Sequence, residues 1–162
     1  MQLMVYPGDM GRTNFGEMTC SIARTLDVVG ERWSLLILRD AFYGVRRFDD
    51  FQRDLGVARN VLTDRLNSLV DHGVLERHLY EERPPRYEYR LTEKGRELLP
   101  VVLAMMRWGD RWATDGEPPV KLIHEHCGQV THAVGVCAAC GEELTLAGVR
   151  TTPIPVRLPA RT

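Results

Sequence analysis

The 162-residue chain contains no run of about 18 apolar residues, so nothing in it reads as a membrane span. Its first residues, MQLMVYPGDMGRTNFGEM, lack a basic region followed by an apolar core, and so lack the pattern of a secretory signal. Neither sign of charge dominates: 21 Lys and Arg stand against 22 Asp and Glu, net −1. No global basic field announces nucleic acid, and an anionic partner must be met by locally placed arginines. There is no recognisable Ser/His/Asp set and no glycine loop built to cradle phosphate. The paired carboxylates Asp49-Asp50 and Glu81-Glu82 are chain neighbours that do not converge on one substrate, and they read as solvated surface. An enzyme is therefore not expected. Cysteine is scarce, with four in the chain. In a chain expected to be cytoplasmic these suggest metal or redox chemistry before structural disulfides.

The apolar fraction of 44% is enough for one core, and the length suits one domain with a small appendage. Residues 1–18 have no period and carry Pro7, Gly8, Gly11 and Gly16, which suggests a flexible arm. Ile22, Leu26 and Val29 fall at i, i+4 and i+7 and predict a first helix over 21–29, interrupted at Gly30. The segment WSLLILRDAF, Trp33 to Phe42, is too apolar for a surface helix and predicts a central one.

The stretch from Arg46 to Arg90 organises the rest. Phe48, Phe51 and Leu55 give a short helix one apolar stripe, and Gly56 stands where a helix can end in left-handed geometry. After a short turn a longer helix starts near Ala58. Ala58, Val61, Leu62, Leu66, Leu69 and Val70 form its buried face, and Gly73 closes it. At 100° per residue Asn60, Thr63, Asp64 and Asn67 project from the opposite side, with Arg59 at the flank. Period-two alternation in VLERHLY and YEYRL predicts two paired strands, joined by the stiff exposed loop EERPPR. These elements make a helix-turn-helix with a wing. Thr92 should cap a last helix, roughly 93–114, which Pro100 kinks or divides. Its two methionines and two tryptophans read either as core or as a dimer interface, and reading two half-sites favours a homodimer. Residues 115–120 read as a linker, 121–150 as a second module and 151–162 as a flexible Pro-rich tail.

Three blocks, CSIARTLDVVGERWSLLILRDAFYGVRRFDDF, VLTDRLNSLVDHGVLER and PPRYEYRLTEKGREL, together resemble the HxlR-type winged helix-turn-helix transcriptional regulators, relatives of the MarR group. The resemblance covers about residues 20–110. It implies a homodimer on double-stranded operator DNA, recognition residues within Arg59–Asn67 and a wing tip at Arg83–Arg86. The chain departs from the family's pattern at Ala58, where Ser is common; a lost cap costs about 1 kcal/mol.

Asn60, Thr63 and Asn67 are the candidates for base contact in a major groove. Arg59 and Arg65 suit phosphate or guanine, although Arg65 points away from Asn60 and reads equally as a salt bridge to Asp64 or Asp71. Asp64 suits cytosine or the orientation of an arginine. Arg46 and Arg47, ahead of the supporting helix, can reach the DNA backbone. Arg83 and Arg86 suit backbone or minor-groove contact from the wing. No feature marks an effector pocket.

Cys20 precedes the first helix, with Arg24 one turn on, and coincides with a cysteine of HxlR-type proteins, some of which resemble redox sensors. It is the redox-sensing candidate, by an intersubunit or mixed disulfide; the alternative is a small buried hydrophobe. The remaining cysteines stand in two turns of one form, His124-Glu-His-Cys127-Gly and Cys137-Ala-Ala-Cys140-Gly. Together they supply four ligands suited to structural zinc in a zinc-ribbon-like module, with His126 and His132 as fallbacks. Free thiols, or a disulfide from Cys127 to Cys137 or Cys140, are the alternatives. The expected fold is mainly α with a small β-wing, plus a short β-rich C-terminal module. The expected function is a DNA-binding regulator. The competing readings are a winged-helix protein-interaction module and a CxxC thiol–disulfide oxidoreductase, though the latter needs a βαβ setting that the chain lacks.

Overall fold

The computed structural model of the chain describes Met18 and residues 20–150. The expected arm, apart from Met18, and the expected tail at 151–162 lie outside the described residues. Among the described residues six helices and four strands follow in the order α1 (Ser21–Val29), α2 (Arg32–Phe42), α3 (Phe48–Leu55), α4 (Arg59–Asp71), β1 (Leu75–Glu82), β2 (Pro85–Leu91), α5 (Glu93–Arg96), α6 (Leu99–Trp112), β3 (Leu122–His124) and β4 (Gln129–Thr131). None of the described helices is long and apolar enough to cross a membrane.

The core forms where α2, α3, α4 and β1 converge. It comprises Val29, Ile37, Leu38, Phe51, Val57, Leu62, Leu66, Leu69, Val74 and Leu75. The helix α2 is central, as its composition predicts: it packs on α1, α3, α4, α6 and β2. Gly56 ends α3 at φ 61°, its N–H donating to the Gln52 carbonyl, so the chain turns sharply into α4 without a Cβ to hinder it. At the start of α4, Ala58 caps with its backbone alone.

The strands β1 and β2 pair antiparallel from Leu75↔Leu91 to Glu82↔Pro85, with an irregularity between Leu79 and Glu81. The ladder therefore runs further than the alternation suggests. Most of the expected loop is strand, and the turn shrinks to Arg83 and Pro84. Pro85 tolerates this because it is the first residue of β2, where a missing N–H is cheap.

Pro100 divides the expected 93–114 helix. It occupies the first turn of α6, leaving α5 as a separate turn capped by the Thr92 hydroxyl, which accepts from Gly95 N–H. Gly95 is buried, and a Cβ there would collide with the Val74 carbonyl, so this glycine lets α5 close on the turn after α4. Beyond Gly95 none of the described residues is buried. Residues 113–121 form no helix or strand, and the C-terminal module holds the short β3–β4 pair and one bridge, Val136↔Glu143. It is turn-rich where a β-rich module was expected.

Candidate nucleic-acid interface

The two faces of α4 separate cleanly. Leu62, Leu66 and Leu69 are fully buried, which fixes the helix's rotation about its axis. Arg59, Asn60, Thr63, Asp64 and Asn67 are then exposed along the opposite side. Asn60 keeps its full set of donors and acceptors available to a base edge. Thr63 donates its hydroxyl proton to the Arg59 carbonyl at 2.8 Å, so outward it offers an oxygen acceptor and a methyl group. Arg65 lies off this row. Its side chain is 22% exposed and its guanidinium sits 3.7 Å from Glu31, the residue that opens α2. The partner is thus neither Asp64 nor Asp71: helix geometry turns Arg65 toward α2, not along its own helix.

The arginines around the row are held by contacts between elements. Arg59 lies over the Phe48 ring at 4.6 Å and 3.7 Å from Asp49, both in the first turn of α3. Arg47 lies 4.6 Å from the Tyr80 ring centroid and 3.6 Å from Glu88. The backbone secures this second meeting, because Arg47 bridges Glu88 and Tyr89 N–H donates to the Arg46 carbonyl at 2.7 Å. The entry to α3 is therefore stitched to β2, and the wing cannot swing independently of the helix-turn-helix. Arg46 is exposed beside this seam, and Arg83 is exposed at the wing's turn.

Arg86 faces Glu81 across the hairpin at 3.4 Å. A hydrogen bond with the Tyr80 phenol, then the charge of Glu81, raise its pKa further above its ordinary value. Glu88 is held below the usual carboxylate value, first by a hydrogen bond from Arg90 and then by the nearby charges of Arg90, Arg47 and Arg46. Together Arg47, Arg59, Arg86, Phe48, Asp49 and Tyr80 line a cleft of about 590 Å³ between the starts of α3 and α4 and the wing. Arg47, Arg59 and Arg86 thus share this cleft, Arg46 lines an adjoining hollow with Arg47 and Arg53, Arg83 stands at the wing's turn, and Arg65 lines neither hollow. Sequence reading overlooked Phe48, Asp49, Tyr80, Glu81 and Glu88 as the holders of these arginines. The i,i+5 pairing of Glu81 with Arg86 across a Pro-Pro turn was the one local signal available.

A second exposed surface runs along α6, where Val101, Met105, Trp108 and Trp112 repeat at i, i+4, i+7 and i+11. Leu98 and Val102, on the other side, pack against the core. Ile22 and Leu26 of α1 are also exposed.

Cys20 occupies the cap position of α1 and is half-buried. Arg24 does not engage its sulfur: the guanidinium donates to the Met18 carbonyl at 2.9 Å. The other cysteines form two local pairs. His124 Nδ1 lies 3.3 Å from Cys127 Sγ. Backbone amides of Ala139 and Cys140, and then the Cys140 side chain, lower the Cys137 pKa through hydrogen bonds. All four cysteines are free thiols, and among the described residues no three His, Cys, Asp or Glu side chains are placed to hold one metal ion. Cys137 begins a turn and not a helix, so it lacks the helix N-terminus that the oxidoreductase reading requires.

Residues 28–117 match the family described as HxlR-like helix-turn-helix. An uncharacterized HTH-type transcriptional regulator of Mycobacterium tuberculosis is 47% identical over 136 residues, 83% of this chain and 86% of that protein. Among solved structures, PA1607, a suggested transcription factor, is 40% identical with a TM-score of 0.78, covering 86% of this chain and 99% of that one. The reduced form of the redox regulator HypR is 36% identical with a TM-score of 0.54, covering 57% of this chain and 92% of that one.

Proposed function

Because the chain belongs to the HxlR-like helix-turn-helix family and is a DNA-binding transcriptional regulator, we propose that it reads double-stranded operator DNA as a homodimer through α4 and the β1–β2 wing. The observation that carries this reading is the exposed polar row of α4, set opposite a fully buried apolar face. In a major groove Asn60 would pair bidentately with a base, and Thr63 would accept from an amine or touch a thymine methyl. Asn67 would contact the far end of the site, and Asp64 a cytosine or a neighbouring arginine. Arg59, at the first turn of α4, would neutralise phosphate together with Arg46, Arg47, Arg83 and Arg86. Arg65, tied to Glu31, would steady α4 from behind.

The exposed α6 stripe would form the dimer seam, with two copies setting their α4 helices about 34 Å apart to match successive half-sites. Cys20 would supply a response to oxidants such as peroxide, which take two electrons and two protons as its thiol and either the partner's thiol or a small thiol join in a disulfide. Its half-buried place at the start of α1 and the likeness to HypR, a redox regulator, support this.

The test is fluorescence anisotropy on fragments of the chain's own promoter region. Asn60→Ala should relax preference at one base pair by about 1–3 kcal/mol while leaving binding to random duplex alone. Arg86→Ala should weaken binding to every sequence alike and lower the slope of log K against log salt by about one. An unchanged selected motif in the first variant, or an unchanged slope in the second, removes that residue from the interface.

A further inference from the structure

Residues 121–150 hold together without a core. No residue among them is buried, and Val130 and Leu146 are 64% and 95% exposed. Apart from a turn at Thr145–Gly148, the module's backbone-to-backbone hydrogen bonds are local to two small hairpins: one pairs Leu122–His124 with Gln129–Thr131, and the other links Cys137 to Glu142 and Leu144 to Gly135. A module of about 30 residues buries too little apolar surface to be stable alone and needs a cross-link.

Both hairpins carry the same turn. Gly128 N–H donates to the His124 carbonyl and Gly141 N–H to the Cys137 carbonyl, each at 2.8 Å, and both glycines have positive φ, 66° and 77°. In the second turn Cys137 and Cys140 stand at the ligand-x-x-ligand spacing on one loop closed by Gly141, the same spacing that His124 and Cys127 have in the first. In the first, the 3.3 Å between His124 Nδ1 and Cys127 Sγ is close to the edge of a zinc tetrahedron. Bonds of about 2.0 Å to nitrogen and about 2.3 Å to sulfur set that edge near 3.5 Å. Each turn thus offers two of the four ligands a tetrahedral site needs, and among the described residues the two pairs do not meet at one point.

We propose that His124, Cys127, Cys137 and Cys140 bind one zinc ion, and that the ion draws the two turns together and so folds the C-terminal module. Three thiols lose their protons to solvent on binding, and no electron is transferred. The closed module would then stay fastened to α6 through Arg107, which donates to the Ala133 carbonyl at 2.9 Å and lies 3.8 Å from Glu143. The proposal is independent of how α4 meets DNA.

The experiment uses the full chain purified without added metal. Elemental analysis should find about one zinc per chain, and cobalt in its place should give the intense visible bands of a tetrahedral thiolate site. Cys137→Ser/Cys140→Ser should retain less than about one tenth of an equivalent, while Cys20→Ser keeps its zinc. Because the double variant can lose its fold, the wild-type chain is also stripped with a chelator and followed by hydrogen exchange. Protection should fall across 122–144 and return with zinc, while residues 37–75 stay unchanged. Absence of zinc from the wild type, equal zinc in the double variant, or a Cys127 disulfide with no metal would each overturn the proposal. Identical exchange with and without zinc would overturn its folding role.

Discussion

Residues 20–95 and residues 96–150 are built on different principles. The first half contains every buried side chain among the described residues, ten of them in one apolar cluster. The second half contains none, yet carries Trp108, Trp112, Met105 and most of the exposed aliphatics. The first half therefore carries the core, against which Leu98 and Val102 of the second half pack, and presents α4 at a fixed angle. The second half is an unfinished surface, suited to being completed by a partner copy along α6 and by ligation further on.

The largest effect expected from this division is in the core. Leu66→Ala should lower unfolding free energy by about 2–5 kcal/mol, since Leu66 is fully buried on the inner face of α4. Leu146→Ala should change it by less than about 0.5 kcal/mol. Urea unfolding followed by circular dichroism compares the two. Equal losses would mean that the second half hides a core of its own in solution, and the contrast would fail.

Next in size is the α6 seam. Trp108→Asp places a charge at a position 62% exposed in the single chain. If α6 is the dimer interface, an anchor of this kind should weaken dimerisation by about 2 kcal/mol, or roughly 30-fold. The denaturation midpoint of residues 20–95, followed by hydrogen exchange, should hardly move. Sedimentation velocity reads the first quantity. An unaltered dimer would move the seam elsewhere.

What could be read from the chain follows the same division. The passage α3–Gly56–α4 was legible because it depends on local period and on one left-handed glycine. The division of the last helix was legible because Pro100 lacks an N–H. The outward row Asn60, Thr63, Asp64, Asn67 was legible for the same local reason. The tie of Arg65 to Glu31, 34 positions away, was not, and neither was the seat of Arg59 over Phe48 and beside Asp49. Those contacts are decided by how helices dock, which no window of sequence contains. The stitching of Arg47 to Glu88 was hidden likewise. In the second half both cysteine turns were legible singly; the sequence also led to the expectation that they face each other around one ion, and among the described residues they do not, because no packed core brings them together.

A smaller effect sharpens the contrast within the reading head itself. Arg86 and Arg59 already face carboxylates, Glu81 and Asp49, at 3.4 and 3.7 Å. A phosphate must displace these partners. Glu81→Gln should therefore raise DNA affinity by about two- to five-fold, equally on specific and random duplex, because an exposed ion pair is weak. Unfolding should be unaffected. A gain confined to one operator sequence would assign Glu81 to base selection instead.

The smallest effect concerns the seam between α3 and the wing. Glu88 has its pKa lowered in the folded chain, so its ion pairs with Arg90 and Arg47 add stability that is fully present above the ordinary glutamate value of about 4.3. As pH falls through that value and then through the lower folded one, the folded state must take up a proton it resists, and the contribution disappears. The stability difference between the wild type and Glu88→Gln should therefore be constant from about pH 6 to 8 and shrink toward zero below about pH 4. Urea titrations of both chains across that range measure it. A difference that grows on acidification would mean that Glu88 is a burden on the fold, and that the backbone bridge from Arg47 to Glu88, together with the Tyr89 amide, fastens the wing without help from charge.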